Sequence, residues 1–313
     1  MSTAPASVPV PASAPVSVPV FVSGVAVALP GAADPSALLR PAVPGAAPVD
    51  PAALIGKKGL RFNDRATRLG LHLAHVALTD AGMLDGRTPT VPGERIGVVV
   101  SSNLGNADTV CRAVETIAKE STGALSPMDT PNASSNIIAS QTAIRFGLRG
   151  PNLTVCNGTS SGLDAVRWAA LMIRSGRADH MVVTGVEPDN EVTRRLVDGP
   201  VADGGAALVL SRTPTASAKA LLGPILHAPQ YADALAALSA AAPGAGLLLT
   251  PEVGPETGGA ERIALDGWGE LSGALGVVQC AAAVGWFAQG RTAPVYALTG
   301  GAAAALLRAE APA

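Results

Sequence analysis

The chain has 313 residues, a net charge of −2, 48% hydrophobic residues and 15% charged residues. These values exclude an intrinsically disordered protein, and the absence of a basic run argues against nucleic acid or an anionic membrane surface as the main partner. The three cysteines are odd in number and far apart, which excludes a disulfide framework and any CxxC metal or redox motif. This cysteine usage favours a reducing cytoplasm.

The first 19 residues alternate Ala, Pro, Val and Ser without a single charge. They lack the basic region of a signal peptide, and their prolines are too frequent for a membrane helix. Residues 1–19 are therefore predicted to form a flexible arm with polyproline II character. No other segment offers ~18 uninterrupted apolar residues, so a soluble protein is predicted.

Residues 20–211 alternate apolar strands with helices and are predicted to form the first half of the fold. The predicted strands are 20–29, 96–100, 153–156, 180–186 and 206–211. The predicted helices are 64–82, 107–120, 133–146 and 161–175, with Asp64 as the N-cap of the first. Because the strands are apolar on both faces, the pattern predicts a parallel or mixed sheet covered by helices on both sides.

Residues 212–313 repeat this pattern in a shorter form. Strands are predicted at 221–225, 246–249 and 295–298, helices at 231–241 and 277–287, and a last apolar run extends to Leu307. The two halves are candidates for related copies of one unit.

Several short motifs occur in a characteristic order along the chain. They are Asn63-Asp64-Arg65, residues 146–152 (FGLRGPN), 161–165 (SGLDA), 174–179 (RSGRAD), 184–187 (TGVE) and 203–210 (DGGAALVL). Together they resemble the β-ketoacyl synthases of fatty-acid and polyketide assembly, well over residues 20–211 and weakly over 245–308. The resemblance implies an α/β, thiolase-like fold with two related βαβ halves packed as α/β/α/β/α layers, the second half being shortened after Ser211.

The resemblance also implies which positions would carry ketosynthase chemistry. That chemistry uses a cysteine thiolate at a helix N-terminus, two histidines and a lysine. The corresponding positions hold Thr159 for the cysteine, Thr250 and Glu270 for the histidines and Leu265 for the lysine. The last histidine of the chain is His227, so none of its histidines is expected to fill either role.

Thr159 has two interpretations. Together with Ser160 and Ser161 it is expected to cap the helix that follows, as hydroxyl residues commonly do. It remains a candidate nucleophile if a base lies beside it, and Glu270 is the candidate base. Cys156, three residues upstream, is expected to be a small buried hydrophobic residue.

Three further groups of residues receive roles through the resemblance. Gly300 and Gly301 correspond to the glycine pair beside the ketosynthase oxyanion hole, and also fit a tight turn. The segment before the nucleophile strand would reach into a partner's pocket, which makes Met128, Asp129, Asn132 and Asn136 candidate tunnel and partner residues. The loop at 56–59 (GKKG) is a basic surface loop that offers a weaker candidate contact for an acidic carrier protein.

The resemblance therefore implies a non-catalytic ketosynthase homologue similar to the chain-length-factor subunits of type II polyketide synthases. Such a subunit pairs with an active ketosynthase and shapes the acyl tunnel. The alternatives are an acyltransferase that moves an acyl group from a carrier protein to an alcohol or amine, and a homodimeric scaffold that binds acyl chains or carrier protein. The expected partners are a ketosynthase or a second copy, and an acyl carrier protein. No cofactor, metal, nucleic acid or membrane is expected.

Overall fold

The computed structural model describes residues 18–56, 60–197, 199–215, 218–252 and 259–310. Most of the predicted arm at 1–19, and the two lysines of the predicted basic loop, lie outside these ranges. Within them no helix is both long and apolar enough to cross a membrane.

The first half contains seven strands and six helices among the described residues. The strands are β1 (Phe21–Ala28), β2 (Leu84–Asp85), β3 (Thr88–Pro89), β4 (Ile96–Ser101), β5 (Asn152–Val155), β6 (His180–Glu187) and β7 (Gly204–Ser211). The helices are α1 (Ala52–Ile55), α2 (Arg65–Asp80), α3 (Ala107–Lys119), α4 (Ile137–Phe146), α5 (Ser161–Arg174) and α6 (Glu191–Val197).

The second half is shorter, with five strands and two helices in the described part of the chain. The strands are β8 (Ala220–His227), β9 (Leu247–Leu249), β10 (Glu261–Ile263), β11 (Val295–Thr299) and β12 (Ala302–Arg308). The helices are α7 (Tyr231–Ala241) and α8 (Leu275–Ala288).

The strand order shows that the two halves are copies of one unit. It runs β5-β4-β6-β7-β1 in the first half and β10-β9-β11-β12-β8 in the second. Numbered within each half, and leaving aside the small β2–β3 hairpin, both orders read 3-2-4-5-1. In each half only the fifth strand, β7 or β12, is antiparallel to the others. A short antiparallel pairing of β1 with β8 joins the halves.

Successive side chains of a strand pack into different cores, because they point to opposite faces of the sheet. On β7, Leu208 and Leu210 enter a central core that also contains α5 and α8, whereas Ala207 and Val209 enter an outer core beneath α2. In the second half, β12 likewise divides its residues between the central core and an outer core beneath α7. The predicted α/β/α/β/α layering is thereby confirmed, with α5 and α8 as the central layer.

Helix α2 begins and ends where residues near its two ends predict. The Asp64 side chain accepts a hydrogen bond from the Thr67 N–H at 2.7 Å, so Asp64 is the N-cap that the sequence predicts. The helix ends at Asp80, before Gly82 with a φ of +69°. Its apolar face is buried against β1, β6 and β7.

Helix α3 forms where an amphipathic helix is predicted, but its apolar side is not covered. Among its residues only Thr109 is buried, while Val110, Val114 and Ile117 are exposed. The chain therefore presents an apolar helix face that nothing in the described residues covers.

The two central helices touch through glycines at their N-terminal ends. A Cβ placed on Gly162 would lie 2.5 Å from the backbone nitrogen of Gly276, and a Cβ on Gly276 would lie 2.3 Å from that of Leu163. Neither position has room for a methyl group, so this contact between the halves requires glycine on both helices.

We expect Gly162→Ala to lower the free energy of unfolding by about 3 kcal/mol, because the new methyl group collides with backbone atoms that cannot rotate away. The matched control is Gly199→Ala, where a Cβ meets nothing within 4 Å and the stability should change little. Urea unfolding followed by circular dichroism measures both. Equal stability of the two variants would contradict the assigned contact.

Candidate functional site

The carboxyl ends of the parallel strands in the two halves lie close to each other. The candidate site is formed by the loops that follow these strand ends. In folds of this kind, sites form beyond the carboxyl ends of parallel strands. In the first half β4, β5 and β6 end before Ser102, Cys156 and Pro188, and in the second half β9 and β11 end before Thr250 and Gly300.

The Thr159 turn connects β5 to α5. Gly158 has a φ of +66°, which a residue with a side chain adopts only with strain, and Thr159 follows it as an exposed residue. The Thr159 carbonyl accepts a hydrogen bond from Thr299 Oγ1 at 3.3 Å. A Cβ on Gly300 would lie 2.3 Å from Thr159 Oγ1. The structure thus brings together Thr159 and Gly300, two residues that the resemblance assigns to the same site.

Gly300 and its neighbour Gly301 form the turn between β11 and β12, with φ values of +57° and +80°. The tight-turn interpretation of this pair is therefore what the backbone shows. The oxyanion-side role of the two glycines stays a prediction.

The hydroxyl groups after Thr159 are arranged differently from the predicted cap. Ser160 occupies the N-cap position of α5, but its side chain makes no hydrogen bond to the first-turn backbone. Its hydroxyl instead donates to Asp164 Oδ2 at 2.7 Å. Ser161 Oγ accepts from the Asn157 N–H at 2.6 Å and so closes the turn from the other side. The predicted capping bonds are wrong, because Ser160 Oγ accepts from Asn157 Nδ2 at 3.1 Å instead of from the backbone of the first turn.

Asp164 holds a residue that the sequence analysis dismissed. His227, at the end of β8, places Nε2 2.6 Å from Asp164 Oδ1. Burial alone would raise the pKa of Asp164, but hydrogen bonds from Asn157 and Ser160 and the neighbouring His227 together hold it below its usual value. The signal that was available is the position of His227 directly after a predicted strand, where site residues of such folds collect.

Asn103, which follows β4, links the Thr159 turn to the second half. Its Nδ2 donates to the Gly158 carbonyl and to Ser272 Oγ, both at 2.8 Å, and its Oδ1 accepts from Ser161 Oγ at 3.0 Å. The side chain therefore uses both ends of its amide to fix the turn against the loop before α8. The sequence analysis gave Asn103 no role.

Glu270 lies in that loop and is exposed. Its Oε1 accepts a hydrogen bond from the Ser272 N–H at 2.6 Å. Among the described residues, no hydrogen bond joins Glu270 to Thr159, and the connection between them runs through Ser272 and Asn103. The role of Glu270 as a base for Thr159 therefore stays a prediction.

Thr250 and Leu265, at the remaining positions named from the resemblance, are both buried. Thr250 follows β9, where its Oγ1 accepts from the Glu252 N–H at 3.1 Å. Leu265 packs into the central core with a φ of +65°. A side chain in that core offers no charge to a site, unlike the lysine whose position it takes.

Glu187, at the end of β6, is the most deeply buried carboxylate of the site. It accepts hydrogen bonds from the N–H groups of Asn103, Leu104 and Gly273, at 2.7, 3.0 and 2.9 Å, and from Ser102 Oγ at 3.0 Å. Burial nevertheless outweighs these donors and raises its pKa to about 7. Glu187 thus pins the loop after β4 to the loop before α8, and the sequence analysis quoted it only as part of a motif.

The candidate tunnel residues lie elsewhere on the first half. Met128, Asp129 and Asn136 are exposed, whereas Asn132 is buried and donates a hydrogen bond to the Phe62 carbonyl. Asp129 and Asn132 line a cleft of about 510 Å³ between α2, α3 and the segment 124–133. Four arginines also line this cleft, namely Arg61, Arg65, Arg68 and Arg112.

Two of the three cysteines are exposed. They are Cys111 and Cys156, so the predicted burial of Cys156 is wrong. Cys156 is exposed because β5 is the edge strand and the chain leaves the sheet directly after it. Cys280 is buried in α8, and burial raises the pKa of its thiol to about 12. Within the described ranges no three His, Cys, Asp or Glu residues are grouped so that they could hold a metal ion.

Comparison with protein families gives a match over 154 of the 313 residues, just under half of the chain. Residues 42–195 match the model of the β-ketoacyl synthase N-terminal domain. Among curated proteins, the 3-oxoacyl-[acyl-carrier-protein] synthase 2 of Coxiella burnetii is 26% identical over 160 residues, which are 51% of this chain and 36% of that protein. The synthase 2 of Vibrio cholerae is 31% identical over 133 residues, 42% of this chain and 31% of that protein. The matching part thus spans about a third of these relatives.

Solved structures extend the likeness to nearly the whole chain. The ishigamide ketosynthase/chain length factor superposes with a TM-score of 0.71 at 21% identity, over 93% of this chain and 99% of its own. A type II polyketide synthase acyl carrier protein in complex with its hexaketide-bound ketosynthase gives a TM-score of 0.75 at 15% identity, over 94% and 100%. These likenesses confirm the thiolase-like fold.

We expect the stability of the protein relative to Glu187→Gln to fall as pH rises from 4.5 to 7. Over this range the folded state keeps a proton on Glu187 that the unfolded state has released, so raising the pH favours unfolding. The difference in unfolding free energy between the two proteins should change by about 3 kcal/mol, which urea titrations at several pH values measure.

The matched control for the substitution is Glu261→Gln, which removes a carboxylate that is exposed and lies outside the site. A pH-independent difference for Glu187→Gln would show that the Glu187 carboxyl titrates in the folded protein as it does in the unfolded chain.

Proposed function

We propose that this chain, which is similar to the β-ketoacyl synthases, is a partner subunit that takes no catalytic part in condensation. It would pair with an active ketosynthase and help to shape the acyl tunnel, as chain-length factors do. The observation that carries the proposal is Thr159, which stands where condensation needs a thiolate. A threonine hydroxyl is not ionised at neutral pH and needs an adjacent base. Among the described residues no side chain hydrogen-bonds Thr159 Oγ1.

The pairing surface is supported by the free edge of the sheet. Strand β5 pairs only with β4, so its outer backbone groups are available to another strand. Helix α5 lies directly beneath β5, with α8 and the sheets of both halves on its other sides. The side of α5 left open carries Trp168 and Leu171, 46% and 48% exposed. We call β5 with Trp168 and Leu171 the β5 face.

Large apolar side chains left in water next to a free strand edge are typical of a protein–protein interface. The β5 face therefore favours a partner that adds a strand and covers the two side chains. The exposed apolar side of α3 adds a second uncovered surface in the same half. Met128, which is 56% exposed, would be available to a partner's tunnel, and so would the exposed Asp129 and Asn136 in the same segment before β5.

A carrier protein is the second proposed partner. The acyl carrier protein of the structural neighbour binds that neighbour's ketosynthase. The cleft beside α3 is lined by four arginines and by Asp64, Asp108 and Asp129, and its small excess of positive charge would attract an acidic carrier protein. This assignment rests on the charge of the arginines and on the fold likeness.

We expect co-expression with the active ketosynthase to give a stable heterodimer in size-exclusion chromatography. Leu171→Glu should weaken the complex at least about tenfold, because it places a charge on the part of the β5 face that the partner would bury. Val43→Glu is the matched control, because it places the same charge on an exposed apolar residue outside the β5 face. Val43 is 59% exposed, and its neighbour Ala42 packs beside Gly267 of the second half. Two proteins that elute separately, or equal weakening by both variants, would count against the proposal.

The acyltransferase alternative is favoured by one observation, the exposure of Thr159 at the start of α5. Intact-mass spectrometry after incubation with acyl- and malonyl-carrier thioesters separates the two functions. We expect an acyl adduct on the ketosynthase partner and none on this chain. An adduct on this chain that disappears in Thr159→Ala would establish transferase chemistry instead.

A further inference from the structure

The buried carboxylate of Asp164 holds His227, a histidine to which the proposed pairing role gives no function. His227 Nε2 lies 2.6 Å from Asp164 Oδ1, and Asp164 is also held by Ser160 Oγ at 2.7 Å and Asn157 Nδ2 at 2.9 Å. With two donors on one oxygen and the imidazole on the other, the carboxylate is fixed in place. Its low pKa keeps it charged at neutral pH.

This arrangement determines which nitrogen of His227 is basic. A charged carboxylate accepts hydrogen bonds and donates none, so Nε2 of the neutral ring carries the proton and Nδ1 carries the lone pair. The His227 side chain is 40% exposed. Nothing in the described ranges hydrogen-bonds Nδ1. His227 is therefore an oriented base on a partly exposed side chain, and its second nitrogen is not engaged by any described residue.

The base lies beside the Thr159 turn. Ala228, the next residue, donates its N–H to the Gly301 carbonyl at 2.8 Å. Gly300 contacts Thr159 on the other side of the same β11–β12 turn. His227 and Thr159 thus flank one turn, at the N-terminal end of the 14-residue helix α5. The partial positive charge of that helix end favours negative charge that develops next to it.

We infer that His227 is the general base for hydrolysis of an acyl thioester at this site, with water as the nucleophile and Asp164 as its positioning residue. The inference goes beyond the pairing role and takes from the proposed function only the substrate class, an acyl chain in thioester linkage. Hydrolysis would release a chain that has stalled on its carrier.

The step balances with water as the only co-reactant. Nδ1 of His227 accepts a proton while the water oxygen forms a bond to the thioester carbonyl carbon. The C–S bond then breaks, and the departing thiolate takes the proton from Nδ1, which leaves a free carboxylic acid and a free thiol. The ring returns to its starting state, still bound to Asp164 through Nε2.

Water is a better candidate than Thr159 for the attacking group. Thr159 Oγ1 is packed against Gly300, and among the described residues no base contacts it. The His227 side chain, by contrast, is 40% exposed, and its Nδ1 has no hydrogen-bond partner among the described residues. A base that holds water needs no covalent intermediate on the protein.

The test uses the full chain alone with hexanoyl-N-acetylcysteamine, a small thioester that requires neither a partner subunit nor a carrier protein. Free hexanoic acid is measured by mass spectrometry, so that the exposed cysteines do not disturb a thiol assay. We expect turnover above the rate in buffer, and a fall in kcat/KM of at least about 100-fold in His227→Asn.

Two readouts separate chemistry from structure. Added imidazole should restore activity to His227→Ala, which it cannot do if His227 only supports the fold. Asp164→Asn should lower kcat with KM changed by less than about twofold, since the substrate is still bound. Thermal unfolding checks that each variant is folded.

Three results would overturn the inference: no acid above the buffer rate, full activity in His227→Asn, or an acyl adduct on Thr159 whose loss in Thr159→Ala abolishes turnover. The pairing role is judged separately. A heterodimer without hydrolysis overturns only this inference, and hydrolysis without a heterodimer overturns only the pairing.

Discussion

The contact of glycine with glycine between α5 and α8 sets the geometry of the site. Thr159 lies three residues before Gly162, and Ser272 lies four residues before Gly276, so the distance between the helices fixes how closely the two loops approach. With both Cβ atoms absent, the loops come near enough for Asn103 to bridge Gly158 and Ser272 with two bonds of 2.8 Å. Wider spacing of the helices would break this bridge.

Two carboxylates of the site each take one hydrogen-bond partner from the opposite half. Glu187 of the first half accepts from Gly273 of the second, and Asp164 of the first half holds His227 of the second. A buried carboxylate without such partners would cost several kcal/mol, so these bonds make the two halves depend on each other. The site is therefore a product of the pairing of the halves, and neither half contains it alone.

The sequence predicts the elements well because their signals are local. The apolar strand 20–29 and the helix that starts after Asp64 are found within one or two residues of their predicted ends, and helix 231–241 is found as predicted. The α/β/α/β/α layering of two related halves also follows from the resemblance. The boundary between Ser211 and residue 212 falls between β7 and β8 and stays a prediction.

The parts that were missed depend on contacts between distant residues. The Asp164–His227 pair joins positions 63 residues apart and exists only because β8 runs parallel to β11 and ends beside α5. The exposure of Cys156 follows from the edge position of β5, which no pattern within 152–156 encodes. Asn103 donates a hydrogen bond to Ser272 of the second half, and Glu187 accepts one from the Gly273 N–H. Their roles therefore appear only when both halves are in place.

One helix serves both proposed activities, and its length keeps them apart. The N-terminal end of α5 carries Ser160 and Asp164, while Trp168 and Leu171 lie farther along it. At ~1.5 Å per residue, Trp168 is roughly 13 Å from Thr159 along the helix axis. A change at Thr159 therefore lies well away from Trp168 and Leu171 along α5. The proposed pairing surface around these two side chains and the proposed base His227 thus lie at different ends of one helix.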